Sequence, residues 1–174
     1  MKKTVISVII LILSVSFYNI WHINKNYIEP VVEVFEKDHW VQFDHNASTE
    51  IKVIDFDLLT EEEANQLVAD YNDDIKNYQI ENTQMKVAVV TIEKRNEEHA
   101  KNSINQAMLV TGNFSNGLHL PLTMLLNEAE PETEKLVYLI TDNLMSKEHW
   151  KDINNLDFSL VVAYSPQEIQ IKLS

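Results

Sequence analysis

Residues 4 to 21, Thr-Val-Ile-Ser-Val-Ile-Ile-Leu-Ile-Leu-Ser-Val-Ser-Phe-Tyr-Asn-Ile-Trp, carry no charge and stand directly behind Lys2 and Lys3. As a helix rising about 1.5 Å per residue, this run reaches about 27 Å, close to the roughly 30 Å of bilayer hydrocarbon. Lysines flanking the N-terminal end stay on the cytoplasmic side, so the remainder is expected outside the cell membrane. The rival is a cleaved signal peptide, with Val5 to Leu13 as its apolar stretch and Ser14-Val15-Ser16 as a small-x-small site. Retention is favoured because the apolar character continues through Phe17, Tyr18, Ile20 and Trp21, with Tyr18 and Trp21 where interfacial aromatics belong. The expected organisation is an N-terminal anchor over 1–24, a polar stalk over 25–30 and an extracytoplasmic domain over 31–174, in a single-pass topology.

Charge narrows the partners. The chain has 14 basic and 27 acidic residues. Because only Lys2 and Lys3 precede residue 25, the remainder carries 12 basic and 27 acidic side chains, a net charge of −15. Such a body repels nucleic acid and anionic lipid surfaces, so no nucleic-acid role is expected, and a partner should be basic or cation-rich. Acidic excess also serves solubility alone. Gly112 and Gly117 are the two glycines. Phosphate-cradling loops and nucleophile elbows depend on glycine for close backbone approach. Walker, dinucleotide-binding and serine-hydrolase readings are therefore excluded together. Cysteine is absent, so neither disulfides nor a lipidated cysteine is available. A cysteine-free, Lys/Asn/Ile-rich chain of this kind fits a bacterial origin better than a eukaryotic secretory one. Asn46-Ala47-Ser48 and Asn113-Phe114-Ser115 then match the glycosylation pattern only by coincidence.

Downstream, short β-branched and aromatic runs dominate. Val31 to Phe35, Trp40 to Phe43 and Ile51 to Asp57 are expected strands. In the third, alternation puts Ile51 and Val53 on one face with Asp55 next in the series. Ile54 and Phe56 interrupt the other face, so cover on both sides is expected. Thr60-Glu61-Glu62-Glu63 is a capping box, followed by Ala64, Leu67, Val68, Tyr71 and Ile75 at helical spacing; one helix is expected from Glu61 to about Tyr71. Lys86 to Lys94 is the strongest strand. Ile104 to Thr111 is a weaker one, turned by residues 112–117. Leu118 to Leu126 contains Pro121 and is expected as an edge strand or irregular. Glu128 to Glu134 reads as an acidic loop, Leu136 to Ile140 as a buried strand, and Ser146 to Trp150 as a helical turn ending near Ile153. Phe158 to Tyr164 and Glu168 to Leu173 are expected as a hairpin about Ser165-Pro166-Gln167. The fold class is mainly β: an antiparallel sandwich with one inserted helix.

An apolar helix, a stalk, the strand Val87-Ala88-Val89-Val90-Thr91-Ile92-Glu93 followed by Asn96, and a closing hairpin over Leu136 to Leu173 occur together. This arrangement resembles the small membrane-anchored, extracytoplasmic immunoglobulin-like proteins of Gram-positive bacteria. The resemblance implies a fold and a location. It brings no catalytic residue, and the helix at Glu61 to Tyr71 is an insertion that a minimal sandwich lacks.

Candidate chemistry is sparse. Histidines stand at 22, 39, 45, 99, 119 and 149, with His39 and His45 the nearest pair. On a strand they would lie about 20 Å apart, too far for one metal. Asp55, Asp57, Asp70, Asp73 and Asp74 offer oxygen ligands for calcium, but the run from Asp70 lacks the glycine of an EF-hand loop. Glu61 to Glu63 are expected to cap a helix. Trp40, Tyr138, Trp150 and Tyr164 are expected in the core rather than on a ligand face. No catalytic, cofactor-binding or metal residue is assigned, and no cofactor is expected. The expected function is non-catalytic: a membrane-anchored module, held through residues 4–21, that binds a protein or cell-envelope partner. The alternatives are an extracytoplasmic hydrolase or metal-dependent enzyme built on the acidic residues, and a self-protection (immunity) protein.

Overall fold

The computed structural model describes residues 2–26, 31–42, 50–71, 73–95, 106–127, 133–163 and 167–173, and the chain divides into two compact units, 1–31 and 32–174. The first unit is the helix α1, Lys2–Asn26. Side chains of its first ten residues lie outside the description, and among the described residues no helix is long and apolar enough to cross a membrane. From Ile12 to Trp21 its apolar side chains are exposed. Near its C-terminal end Tyr18 stacks on His22 with centroids 6.0 Å apart, and the Lys25 ammonium lies 5.0 Å above the Trp21 ring.

The second unit is mainly β. The strands are β1 (Val31–Phe35, of which Val31 closes the first unit), β2 (Val41–Gln42), β3 (Glu50–Leu59), β4 (Met85–Arg95), β5 (Met108–Thr111), β6 (Phe114–Gly117), β7 (Thr133–Thr141), β8 (Ser159–Ala163) and β9 (Gln167–Lys172). They form two sheets, ordered β1-β9-β8-β5-β6 and β2-β3-β4-β7. The β2-β3, β3-β4 and β4-β7 ladders are antiparallel, as are β5-β6, β5-β8 and β8-β9. One buried cluster joins the sheets: Ile51, Val53, Val90, Ile92, Leu136 and Tyr138 from the second meet Leu109, Leu160, Val162 and Ile171 from the first. Each such side chain removed from water contributes about 1.5–3 kcal/mol, so this shared face holds the two layers together.

Helices cover the far side of the second sheet. α2 (Glu61–Val68) and α3 (Leu120–Leu126) enclose a second cluster, in which Ala64, Val68 and Leu122 pack on Val87, Val89 and Val137. β4 is thus buried on both faces, which is why Val87 to Val90 is an unbroken apolar run rather than an alternating one. α2 begins as its capping box requires: the Glu63 N–H donates to the Thr60 hydroxyl at 3.3 Å, and the Thr60 N–H donates to the Glu63 carboxylate at 2.7 Å. A 3-10 turn over Ala69–Tyr71 continues it, matching the expected end.

Three expectations are corrected. The segment after Gly112 does not remain a turn; only Gly112 and Asn113 turn, with Gly112 at φ 53°, and Phe114–Gly117 returns as β6. Leu118 to Leu126 is no strand. Pro121 stands in the first turn of α3, where a missing N–H is harmless because that group has no partner within a helix. Nor is α2 the single inserted helix, since α3 and α4 (Lys147–Lys151) accompany it. Of the expected turn Ser165-Pro166-Gln167, Gln167 opens β9, and residues 165 and 166 lie outside the described residues.

α3 also seals β7. Asn127 donates to the Lys135 carbonyl and accepts from the Lys135 N–H, each at 2.8 Å. Val137 donates to the Thr123 hydroxyl at 3.0 Å, and its carbonyl accepts from the His119 N–H at 2.7 Å. Asn116 of β6 donates to the Leu139 carbonyl. Lys135, Val137 and Leu139, alternate residues of β7, are therefore bonded by groups other than β4.

His119 starts this seal and is sensitive to pH. Its Nδ1 accepts the Leu122 N–H at 3.4 Å, and its ring meets Tyr78 edge-on at 5.0 Å. Burial holds its pKa below the ordinary 6.5. Above that value both folded and unfolded chains carry the neutral ring; below it the unfolded chain takes a proton that the folded one resists. Stability is therefore full above about pH 6.5 and falls as pH drops toward the folded value. Urea midpoints should decline as pH falls below about 6.5, and H119N, which keeps a capping acceptor, should flatten that decline. Glu63 and Asp73, both held below their ordinary values of 4.5 and 3.8, lose their contributions only in more acid solution.

Candidate functional site

The candidate site begins with a fault in one strand. β3 pairs with β4 in regular register from Glu50 to Val53, then shifts: Val53 faces Ile92, Asp55 faces Thr91, and Ile54 has no partner. Ile54 is a β-bulge, one extra residue that bends the strand and re-aims the side chains beyond it. Before it, Ile51 and Val53 point into the shared core. After it, Phe56 and Leu58 take the core-facing positions, while Asp55 and Asp57 are exposed on the opposite, helix-bearing face. The expectation that Asp55 continues the Ile51–Val53 face is overturned. A strict two-residue alternation cannot register an inserted residue.

Asp55 and Asp57 open onto a groove of about 490 Å³, lined also by Leu59, Thr91, Val89, Lys135 and, from α2, Glu63, Gln66 and Leu67. Pairing sets Asp55, Thr91 and Lys135 in one row across three strands, with Asp57 and Val89 in the next. The two aspartates are about 7 Å apart along β3, and Lys135 is two strands away, about 10 Å from Asp55 backbone to backbone. Leu59, Leu67 and Val89 add apolar lining. Two adjacent carboxylates on β3 and an ammonium two strands away on β7 therefore line the same groove.

These charged groups differ in freedom. Glu63 is committed to the cap: the Thr60 N–H and then the Thr60 hydroxyl hold its carboxyl below the ordinary range, with a smaller contribution from the Lys86 charge. Asp55 accepts the N–H of its neighbour Phe56 at 2.9 Å. Among the described residues Asp57 accepts no hydrogen bond and the Lys135 ammonium forms no ion pair. The groove can thus offer two carboxylate acceptors to a cation while presenting one ammonium to an accompanying anion.

The other candidate residues are occupied elsewhere. Asp73 accepts from the Tyr78 hydroxyl at 2.6 Å, from the Asp74 N–H at 2.8 Å and from Asn77 at 3.2 Å. These bonds hold its carboxyl below the usual value, the Tyr78 hydroxyl most of all. Asp74 caps the 3-10 turn Ile75–Tyr78. Among the described residues no three His, Asp or Glu side chains converge to hold a metal ion. Tyr138 is buried in the core and Trp150 packs against it, donating to Gln84 at 2.8 Å. Trp40 departs from the core expectation: it is half-buried, with Lys52 and Arg95 at 5.1 and 4.2 Å from its ring. His45, His99 and Tyr164 lie outside the described residues.

Lys135, Thr91 and Gln66 went unnoticed in the sequence. Lys135 sits beside an acidic stretch expected as loop, whereas β7 starts at Thr133. Comparisons with protein-family models, with curated proteins and with solved structures give no match. The fold and groove define a class only: a mainly β, two-sheet domain carrying a mixed-charge surface groove.

Proposed function

We propose that this chain is a non-catalytic binding module, tethered to the cell membrane by residues 4–21 with its second unit outside as an immunoglobulin-like sandwich. In this reading the groove receives a cationic group of a protein or cell-envelope partner. The observation that carries it is the Ile54 bulge, which turns Asp55 and Asp57 out of the core-facing series and into the groove. The apolar run behind Lys2 and Lys3 supports the tether, and two sheets sharing one core support the sandwich. A hydrolytic acid pair flanks the bond it breaks from two sides. Asp55 and Asp57 instead sit side by side on one strand, and Glu63 opposite them is held by Thr60.

The test combines topology and capture. Protease added to intact cells should remove the second unit; full protection would overturn the tether. The full chain in detergent should capture a partner from envelope extract in a salt-sensitive way, and D55N/D57N should lower that capture by about tenfold or more. Undiminished capture by the double variant would remove the groove from the reading, and turnover of hydrolase substrates lost with either aspartate would replace it with an enzyme.

A further inference from the structure

The sheet edges of the second unit are not treated alike. β7 is sealed by Asn127, Thr123, His119 and Asn116. β6, at the end of the other sheet, has four residues, and its Asn116 makes the last of those bonds. β2 offers two residues. β1 has five and stands at the end of its sheet beside β9. Among the described residues, no group outside that sheet bonds its free edge.

β1 is also largely bare of side-chain cover. Val32 and Val34 are 47% and 51% exposed and share one side, while Glu33 is exposed on the other. Only Phe35 packs against the core. Folded proteins blunt such edges with lysine, proline, a bulge or a covering segment. β1 has one charge within it, Glu33, which among the described residues forms no ion pair.

We propose that β1 is a docking edge for an extended, basic segment of another protein, which joins the five-stranded sheet as a further strand. Main-chain hydrogen bonds would supply the attachment, and alternate side chains the selectivity. Charge decides the occupant. The chain carries a net −13, and antiparallel pairing with a second copy over all five residues sets Glu33 opposite Glu33, a repulsive cross-strand pair. Lipid is equally unsuited, because an open row of backbone N–H and C=O groups finds no partners in hydrocarbon. A basic strand gives Glu33 an opposite charge, covers Val32 and Val34 and completes the backbone pairing. This inference is independent of the groove.

The test uses the full chain in detergent micelles and a labelled, amidated heptapeptide of alternating lysine and valine. One face of that peptide meets Glu33 and the other meets the valines. Anisotropy should show saturable binding, which E33K should weaken by about tenfold and V32K/V34K by at least as much. Replacing the central valine of the peptide with proline should abolish binding, and a glutamate–valine peptide should not bind. Amide exchange should slow over residues 31–35 when the peptide binds. Binding that survives E33K and V32K/V34K, or that leaves exchange over residues 31–35 unchanged, would place the peptide elsewhere and overturn the proposal. Self-association of the chain through β1, or slowed exchange there with neutral vesicles and no effect of peptide, would overturn it too.

Discussion

A chain lacking Ile54 is expected to fold with its core intact, whereas one lacking Phe56 is expected not to fold. Deletions inside a central strand normally invert every side chain beyond them. Ile54 is the exception because it has no partner across the ladder. Without it Val53 still faces Ile92, Asp55 still faces Thr91, and Phe56 and Leu58 keep their places against the core. The cost is the contact of one half-buried side chain, about 1 kcal/mol. Removing Phe56 has no such outlet. If the bulge persists, Asp57 turns inward opposite Val90; if it straightens, Asp55 does. Either way a carboxylate enters an apolar interior without a partner, at a cost of several kcal/mol, and the Phe56–Phe158 contact at 5.5 Å is lost as well. Set against a typical total of about 5–15 kcal/mol, that is enough to unfold the domain. Urea melts of the two deletions separate the outcomes. The Ile54 deletion should also weaken partner capture, since the bend that aims Asp55 and Asp57 goes with it. Equal melts for the two chains would mean that β3 and β4 do not pair in this register.

The same strand shows how much of the molecule was legible in the sequence. With Ile54 set aside, Ile51 to Leu59 alternates in and out without fault; with it, the period breaks at one point and the break resembles cover on both faces. The signal was present, but no single period contains it. Thr60 to Glu63 was legible because a capping box is local: its residues satisfy one another whatever packs above them. β4 was legible because burial on both sides leaves a continuous apolar run. Leu120 to Leu126 was not, because Pro121 argues equally against a strand interior and against a helix interior, and only the position of the helix start resolves it. His119 supplies that start, yet histidine is not among the residues that signal one. Lys135 escaped notice for a different reason. A groove residue is defined by its neighbours across the sheet, and cross-strand register joins residues far apart in the chain, such as Asp55 and Lys135.

Replacing Asn127 with alanine should cost about 2–3 kcal/mol and expose a second pairing edge. The Asn127 amide donates to the Thr123 carbonyl at 2.6 Å and to the Lys135 carbonyl at 2.8 Å, and accepts from the Lys135 N–H at 2.8 Å. It thus closes the C-terminal end of α3 and the upper edge of β7 at once. Alanine leaves all three backbone groups to water, and at an edge water replaces only part of what is lost. For a domain of this size the melting temperature should fall by roughly 5–10 °C. A more telling consequence is association. An unsealed β7 presents the Lys135 backbone to any free strand, including the β1 edge of another copy, whose Glu33 is then met by Lys135 rather than by its own kind, while Thr123 and His119 still hold Val137. N127A should therefore self-associate in sedimentation experiments where the wild type does not, and adding E33K should reverse that association without restoring the melting temperature. If N127A melts and sediments as the wild type does, the β7 seal contributes nothing. The contrast between a closed β7 and an open β1 then loses its physical basis.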